Sequence, residues 1–233
     1  MGPCGVPHAF GVQWRYIFES PVTSSRMRAL TPVLALLAAF TTHSVLAQPA
    51  EPARVRGTVQ SFDGSALVLT TETQGTVTLT VGESTGINGL ERKTADDIGP
   101  NAFIGTTAVK DSRGRWRATE VHIFPEAMRG AGEGHYAWDL PESTMTNAAV
   151  TGTAAKRRGR TLHLKYSTNQ GSATGGEVDV DITRKTAIVA LTAGERSLLV
   201  PGAVVFALAT PEQDGKANAI AIVAETKGVK PPM

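Results

Sequence analysis

Cysteine is all but missing from this chain: of 233 residues, only Cys4 is one. Disulfides are thereby excluded, as is lipid attachment to a cysteine behind the first apolar run, so stability has to come from burial and backbone pairing. Long apolar runs are missing too. The longest, residues 29–40, is well short of the roughly 20 residues a membrane-spanning helix requires. No charge of one sign dominates either. Of 23 basic and 21 acidic residues, Arg15, Arg26, Arg28 and Glu19 precede residue 48, which leaves 20 of each downstream. A formally neutral protein offers no general attraction to nucleic acid or to an anionic membrane.

The run at 29–40 follows Met27-Arg28 and leads through polar residues to Val45-Leu46-Ala47. A charged start, a short apolar stretch and small residues at the minus-three and minus-one positions describe a cleavable signal peptide over 27–47, cut after Ala47. Residues 1–26 read as an extension ahead of the true start at Met27. The expected compartment is the periplasm or the exterior, with no stable membrane insertion after cleavage.

What the rest of the chain has in abundance is period-two alternation, and it has it twice. Val55-Arg-Gly57-Thr58 opens one set and Val150-Thr-Gly152-Thr153 a second. The landmarks match at an offset of 95 at Leu67/Leu162 and Leu69/Leu164, of 101 from Val77/Val178 to Ala102/Ala203, and of 99 at Ala118/Ala217 and Val121/Ile220. Strands are expected at 54–60, 66–71, 76–81, 103–110 and 118–124, and again at 149–154, 161–166, 177–182, 203–209 and 217–224. Asp63-Gly64 and Gln74-Gly75 mark turns. The stretch 82–100, containing Asn88-Gly89, reads as a loop with one helical turn. The predicted fold is all-β: two tandem five-stranded OB-like Greek-key barrels from an internal duplication, over 48–124 and 149–233, joined by a Gly- and aromatic-bearing segment at 125–148. The two barrels are expected to pack on each other, because a unit of about 75 residues buries only about 60% of its unfolded surface.

The joining segment, from His122-Ile-Phe-Pro-Glu to Gly-His135-Tyr-Ala-Trp-Asp139 and on through Ser143-Thr-Met-Thr-Asn147, together with the closing Val229-Lys-Pro-Pro-Met233, resembles a family of uncharacterised exported bacterial proteins along the whole mature chain. The resemblance implies OB-like domains of unknown function and an exported protein, and it carries over no catalytic residue. Some members are labelled metal ABC transporter permease, a label this sequence does not support: a permease needs several spanning helices.

In the joining segment Tyr136, Trp138 and Met128 are too apolar for a flexible tether, so the first expectation is that it wraps across both barrels as packing. His122, Glu126, Glu133, His135 and Asp139 are the alternative, a donor set that Zn, Cu or Ni would accept, although the spacing matches no metal motif. Arg129, Tyr136 and Trp138, with the basic turn Lys156, Arg157, Arg158 and Arg160, form the expected ligand or partner surface, suited better to an acidic polysaccharide or lipid head group than to nucleic acid. Gly82-Glu-Ser84-Thr-Gly86 has the spacing of a hydrolase elbow, but a strand-to-helix turn is expected there only in a large α/β sheet. His163 should face solvent and Trp116 should shield a barrel end. The functional expectation is a non-enzymatic binding or scaffold protein for an unknown envelope protein or ligand, with no cofactor; the runner-up is a small metal-binding protein of the envelope.

Overall fold

Where apolar and polar residues alternate, the chain is extended. In Thr76-Val-Thr-Leu-Thr-Val81 the threonines are exposed, while Leu79 and Val81 are buried. The computed structural model describes residues 52–212 and 216–232. The expected signal peptide with its expected cleavage site, residues 1–26 and Cys4 lie outside the described residues.

The described chain is all-β. Its strands are β1 (Ala53–Phe62), β2 (Ala66–Thr71), β3 (Gly75–Thr80), β4 (Gly86–Arg92), β5 (Phe103–Lys110), β6 (Trp116–Ile123), β7 (Gly134–Ala137), β8 (Ser143–Lys156), β9 (Gly159–Tyr166), β10 (Gly176–Ile182), β11 (Ala187–Ala193), β12 (Val204–Pro211) and β13 (Ala217–Ala224). All ten expected strands are among them, with ends shifted by a few residues.

Five of these strands close into a barrel. β8, β9 and β10 form an antiparallel meander, β5 pairs with β8, β6 pairs with β5, and β10 meets β6 in parallel at Val180↔Trp116 and Asp181↔Arg117. The eight further strands include five with the same order of pairing: β1, β2 and β3 in a meander, β12 on β1, β13 on β12, and β3 parallel to β13 at Leu79↔Ala217 and Thr80↔Asn218.

The expected division into 48–124 and 149–233 does not describe this pairing. β5 and β6 leave β1–β3 and complete the barrel of β8–β10, while β12 and β13 return to β1–β3. The crossing is carried by β4 and β11, the first of which was expected to be loop. They pair antiparallel with each other through Leu90↔Leu191, β4 also pairs with β13, and β11 with β6. Asn88-Gly89 is therefore a strand and no turn. Glycine is needed for close approach: a Cβ on Gly89 would lie 2.7 Å from Thr226 Oγ1 and 3.1 Å from Thr192 Oγ1.

Pairing also corrects the expected equivalences. Leu67 opposite Leu79 matches Leu162 opposite Val180, as the offsets of 95 and 101 require. At the first strand, however, the bulge after Val59 corresponds to the bulge after Val150. Gly202 donates to the Val59 carbonyl as Asn101 does to that of Val150. The match of Val55-Arg-Gly57 to Val150-Thr-Gly152 is a coincidence of composition four residues out of step. At the last strand, the bulges at Thr107/Ala108 and Leu208/Ala209 put Val121 opposite Thr106 and Ile222 opposite Ala207, so the offset stays at 101. Ile220, which the offset of 99 matched to the buried Val121, is exposed.

Burial follows the pairing. One apolar cluster mixes Val55, Leu67, Leu69 and Leu79 with Val205, Ala207 and Ile222; a second mixes Ile104 and Val121 with Val150, Leu162, Leu164 and Val180. A third, Leu90, Val189, Leu191, Phe206 and Val223, comes from β4, β11, β12 and β13 and is covered by Phe124, Met128 and Trp138. The joining segment is thus packing, as its apolar content suggested.

Candidate anion-binding end of the closed barrel

The strand exchange brings two basic loops to one place. The β8–β9 hairpin turns at Arg157-Arg158, with Lys156 and Arg160 at its shoulders; the β5–β6 hairpin carries Arg113, Arg115 and Arg117. They meet at Asp181 of β10. Lys156 Nζ pairs with Asp181 Oδ1, and Arg115 Nη1 reaches Asp181 Oδ2 at 3.4 Å. Arg115 and Arg117 also approach Asp111 Oδ2 at 2.9 and 3.6 Å. The expected Lys156, Arg157, Arg158 and Arg160 cluster is therefore half of a larger one. The other half was visible in the sequence as Arg113-Gly-Arg115, but nothing in it placed that turn beside residues 156–160.

Both carboxylates are held in the charged state. Backbone N–H groups of Arg115 and Arg113, with the Arg115 guanidinium, lower the Asp111 carboxyl to about 2. Burial pushes Asp181 up, but hydrogen bonds from Lys156 and Thr161, with the charges of Lys156 and Arg115, hold it below its ordinary value. These anions position the loop and offset part of its charge. Arg113, Arg157 and Arg158 are exposed and have no carboxylate partner among the described residues. A cleft of about 550 Å³ opens here between Val109, Asp111, Ser112, Arg113, Arg115 and Arg117. The counterpart loops of the other five strands carry Asp63 in one and Glu212, Asp214 and Lys216 in the other, so the excess of positive charge belongs to the closed barrel alone.

The proposed metal donors are not brought together. Glu126 pairs with Arg129 at 2.6 Å, Glu133 accepts from the Ser167 N–H at 2.7 Å, and Asp139 bridges Arg54 and Arg56. His135 Nδ1 lies 2.8 Å from Thr146 Oγ1, its ring edge-on to Trp116 and stacked on Tyr166. His122 is buried beside Glu120. Among the described residues no three of His, Cys, Asp and Glu are placed to hold a metal.

Three of the expected surface residues also make contacts within the molecule. Trp138 packs on the third cluster with the Arg54 guanidinium 3.9 Å over its ring, Tyr136 donates to the Gly132 carbonyl, and Arg129 donates to the Asn101 carbonyl at 2.8 Å. Ser84 sits in an exposed turn that leads into β4, without the helix an elbow requires. Trp116 covers the join of β6 and β10, and His163 Nδ1 meets Asp179 Oδ1 at 2.7 Å on the solvent side.

His135 gives a pH test. Burial and the nearby Lys110 charge push its imidazole below the ordinary value of about 6.5. The folded state then binds fewer protons than the unfolded one. The contribution of this residue is complete above about 6.5 and is lost as pH falls through the lowered folded value. The urea midpoint of the wild type is expected to drop between pH 7 and pH 5 more steeply than that of His135→Gln. Equal slopes would remove His135 from this role.

One further polar set was not foreseen. On the outer face of β5, β6 and β8, Glu120, His122 and Asn147 are all buried. Thr107 donates to Glu120 Oε1 at 2.5 Å, while Glu120 Oε2, His122 Nε2 and Asn147 Oδ1 have no hydrogen-bond partner among the described residues, the first two standing 3.7 Å apart. At the equivalent places of the other group stand Leu208, Ala221 and Val223 for Thr107, Glu120 and His122. No protein-family model, no curated protein and no solved structure matches this chain.

Proposed function

We propose that this is an exported, non-enzymatic binding protein made of two OB-like barrels that arose by duplication and exchanged their last two strands, with the basic loop end of one barrel as its ligand site. The order β1-β2-β3-β13-β12, repeated as β8-β9-β10-β6-β5 with a parallel contact at the join, is that of an OB barrel. The signal-like pattern at 27–47 and the resemblance to exported proteins support the compartment.

One observation carries the ligand assignment. OB barrels bind through the loop between their first two strands and the loop between their last two. In the closed barrel these are the β8–β9 and β5–β6 hairpins, both rich in arginine, joined through Asp181. Guanidinium groups on adjacent loops form forks for carboxylate, sulfate or phosphate oxygens. The ligand class is therefore anionic, and binding is expected without turnover.

The test uses the protein from residue 48 onward on a heparin column. Retention that falls with rising salt is expected. The triple variant Arg113→Glu, Arg157→Glu, Arg158→Glu should lose at least about tenfold in affinity, since each charge near an anionic surface contributes on the order of 1 kcal/mol. Its urea midpoint should stay close to that of the wild type, as all three side chains are exposed. Equal retention of variant and wild type would refute the site.

A further inference from the structure

We infer that Glu120, His122 and Asn147 form a buried site for one divalent transition-metal ion of the zinc class. Of the five donors read from the sequence only His122 belongs to it. The site does not use the basic loops, so it stands or falls apart from the anion-binding reading.

Three acceptors carry the inference. Glu120, His122 and Asn147 are each more than nine-tenths buried, and Glu120 Oε2, His122 Nε2 and Asn147 Oδ1 have no hydrogen-bond partner among the described residues. An unsatisfied buried acceptor destabilises a fold, so three on one face call for a ligand that repays them. The far atoms of two of these side chains are already held. Thr107 donates to Glu120 Oε1 at 2.5 Å, and Asn147 Nδ2 donates to the Ala131 carbonyl at 3.1 Å. Bonds of this kind orient the donors of metal sites.

Glu120 and His122 stand two apart on β6 and share a face. Two donors each about 2.1 Å from one zinc ion lie about 3.4 Å apart at a tetrahedral angle. Glu120 Oε2 and His122 Nε2 are 3.7 Å apart, a small adjustment away from that. Gly105 of β5 lies opposite His122 on one side and opposite Asn147 on the other. Because this row has no side chain on β5, Asn147 reaches across: its Oδ1 is 2.7 Å from where a Gly105 Cβ would stand. An imidazole nitrogen, a carboxylate oxygen and an amide oxygen, with a fourth position for solvent, suit zinc or cobalt better than magnesium.

The other group of strands dispenses with the set. Its matching row is Val223, Phe206 and Arg56 in place of His122, Gly105 and Asn147, so a buried ring fills what Gly105 leaves open. The polar row is therefore no requirement of this fold. Val189 of the third cluster pairs with His122, and Met128 and Trp138 cover that cluster. The joining segment thus closes over this face, and a metal taken up on folding adds its binding energy to stability.

The experiment is equilibrium dialysis of the chelator-stripped protein against Zn2+ and Co2+. One equivalent per chain is expected, with a raised urea midpoint and visible d–d bands in the Co2+ form. Thr107→Val, which removes only the bond that orients Glu120, should weaken binding by about 10-fold. Glu120→Gln and His122→Gln should weaken it further, while His163→Gln, on the solvent face, should leave it unchanged. The variant Thr107→Leu, Glu120→Ala, His122→Val carries the side chains of the other group, so it keeps the test valid where a single variant fails to fold; it should bind no metal. No equivalent bound by the wild type, or one retained by that triple variant, would overturn the site. An equivalent lost in His163→Gln instead would assign the metal to the surface pair of His163 and Asp179 and overturn it equally.

Discussion

Produced as separate chains, residues 52–131 and 132–233 are each expected to stay unfolded, and to regain the native near-ultraviolet spectrum only when combined. The reason lies in how the cores are shared. The first apolar cluster takes Val55, Val59, Leu67, Leu69, Leu79 and Val81 from the first piece, and Leu199, Val205, Ala207, Ala219 and Ile222 from the second. The second cluster is divided in the opposite sense, with Ile104, Ala108, Ala118 and Val121 facing Val150, Leu162, Leu164 and Val180. Either piece alone has two half-cores and open edges, on β1, β3, β5 and β6 in the first and on β8, β10, β12 and β13 in the second, a state that invites aggregation. Size-exclusion chromatography with circular dichroism decides the matter. Two folded monomers would mean that β5 and β6 close back onto β1–β3, and that the crossing through β4 and β11 is optional.

The buried polar set on β5 and β6 yields the second large effect. Glu120→Ala alone removes the acceptor of Thr107 and the neighbour of His122 inside a buried face. It should cost about 3 kcal/mol in urea unfolding, through an unpaired hydroxyl and a cavity. The triple variant Thr107→Leu, Glu120→Ala, His122→Val installs the side chains found at Leu208, Ala221 and Val223. It should restore that loss and stabilise the protein by about 1–3 kcal/mol, because well-packed apolar groups often match or exceed buried polar pairs. Phe124 already covers Gly105 next to His122, its ring 2.9 Å from where a Cβ would stand, so the new valine meets a carbon wall. A triple variant less stable than Glu120→Ala would show that these polar groups hold the face together in a way their unpartnered atoms do not reveal.

How much of this was legible varies with the range of the interaction concerned. The turn at Asp63-Gly64 was legible because its chemistry is local: Asp63 Oδ1 accepts from the N–H groups of Ser65 and Ala66 at 2.8 and 2.7 Å. The packing role of Trp138 was legible from composition, since a large apolar ring in a glycine-bearing segment needs somewhere to go. β4 was not legible. Gly86-Ile-Asn-Gly-Leu-Glu-Arg92 has the residues of a turn, and it is extended only because β11 and β13 lie on either side of it. The false step of four residues at Val55/Val150 has the same origin: a short motif can recur by chance, whereas a bulge is a property of two paired strands.

The candidate site divides along the same line. Lys156, Arg157, Arg158 and Arg160 stand together in the chain and were found there. Arg113, Arg115 and Arg117 belong to the same end of the molecule through pairings more than thirty residues away in sequence, and through Asp181. The five metal donors, drawn from one segment, went to separate partners, because nearness along an extended chain does not place side chains on one face.

By itself, then, the sequence determined that the described chain is β and where ten of its strands run, since alternation and turn chemistry act between neighbours. Which strand completes which barrel, and hence which two arginine loops share a ligand, was decided only in three dimensions. Both β6 and β13 present an apolar face that alternation alone cannot assign to one set of partners, and the pairing of β4 with β11 at Leu90 and Leu191 links the two sets only in the folded chain.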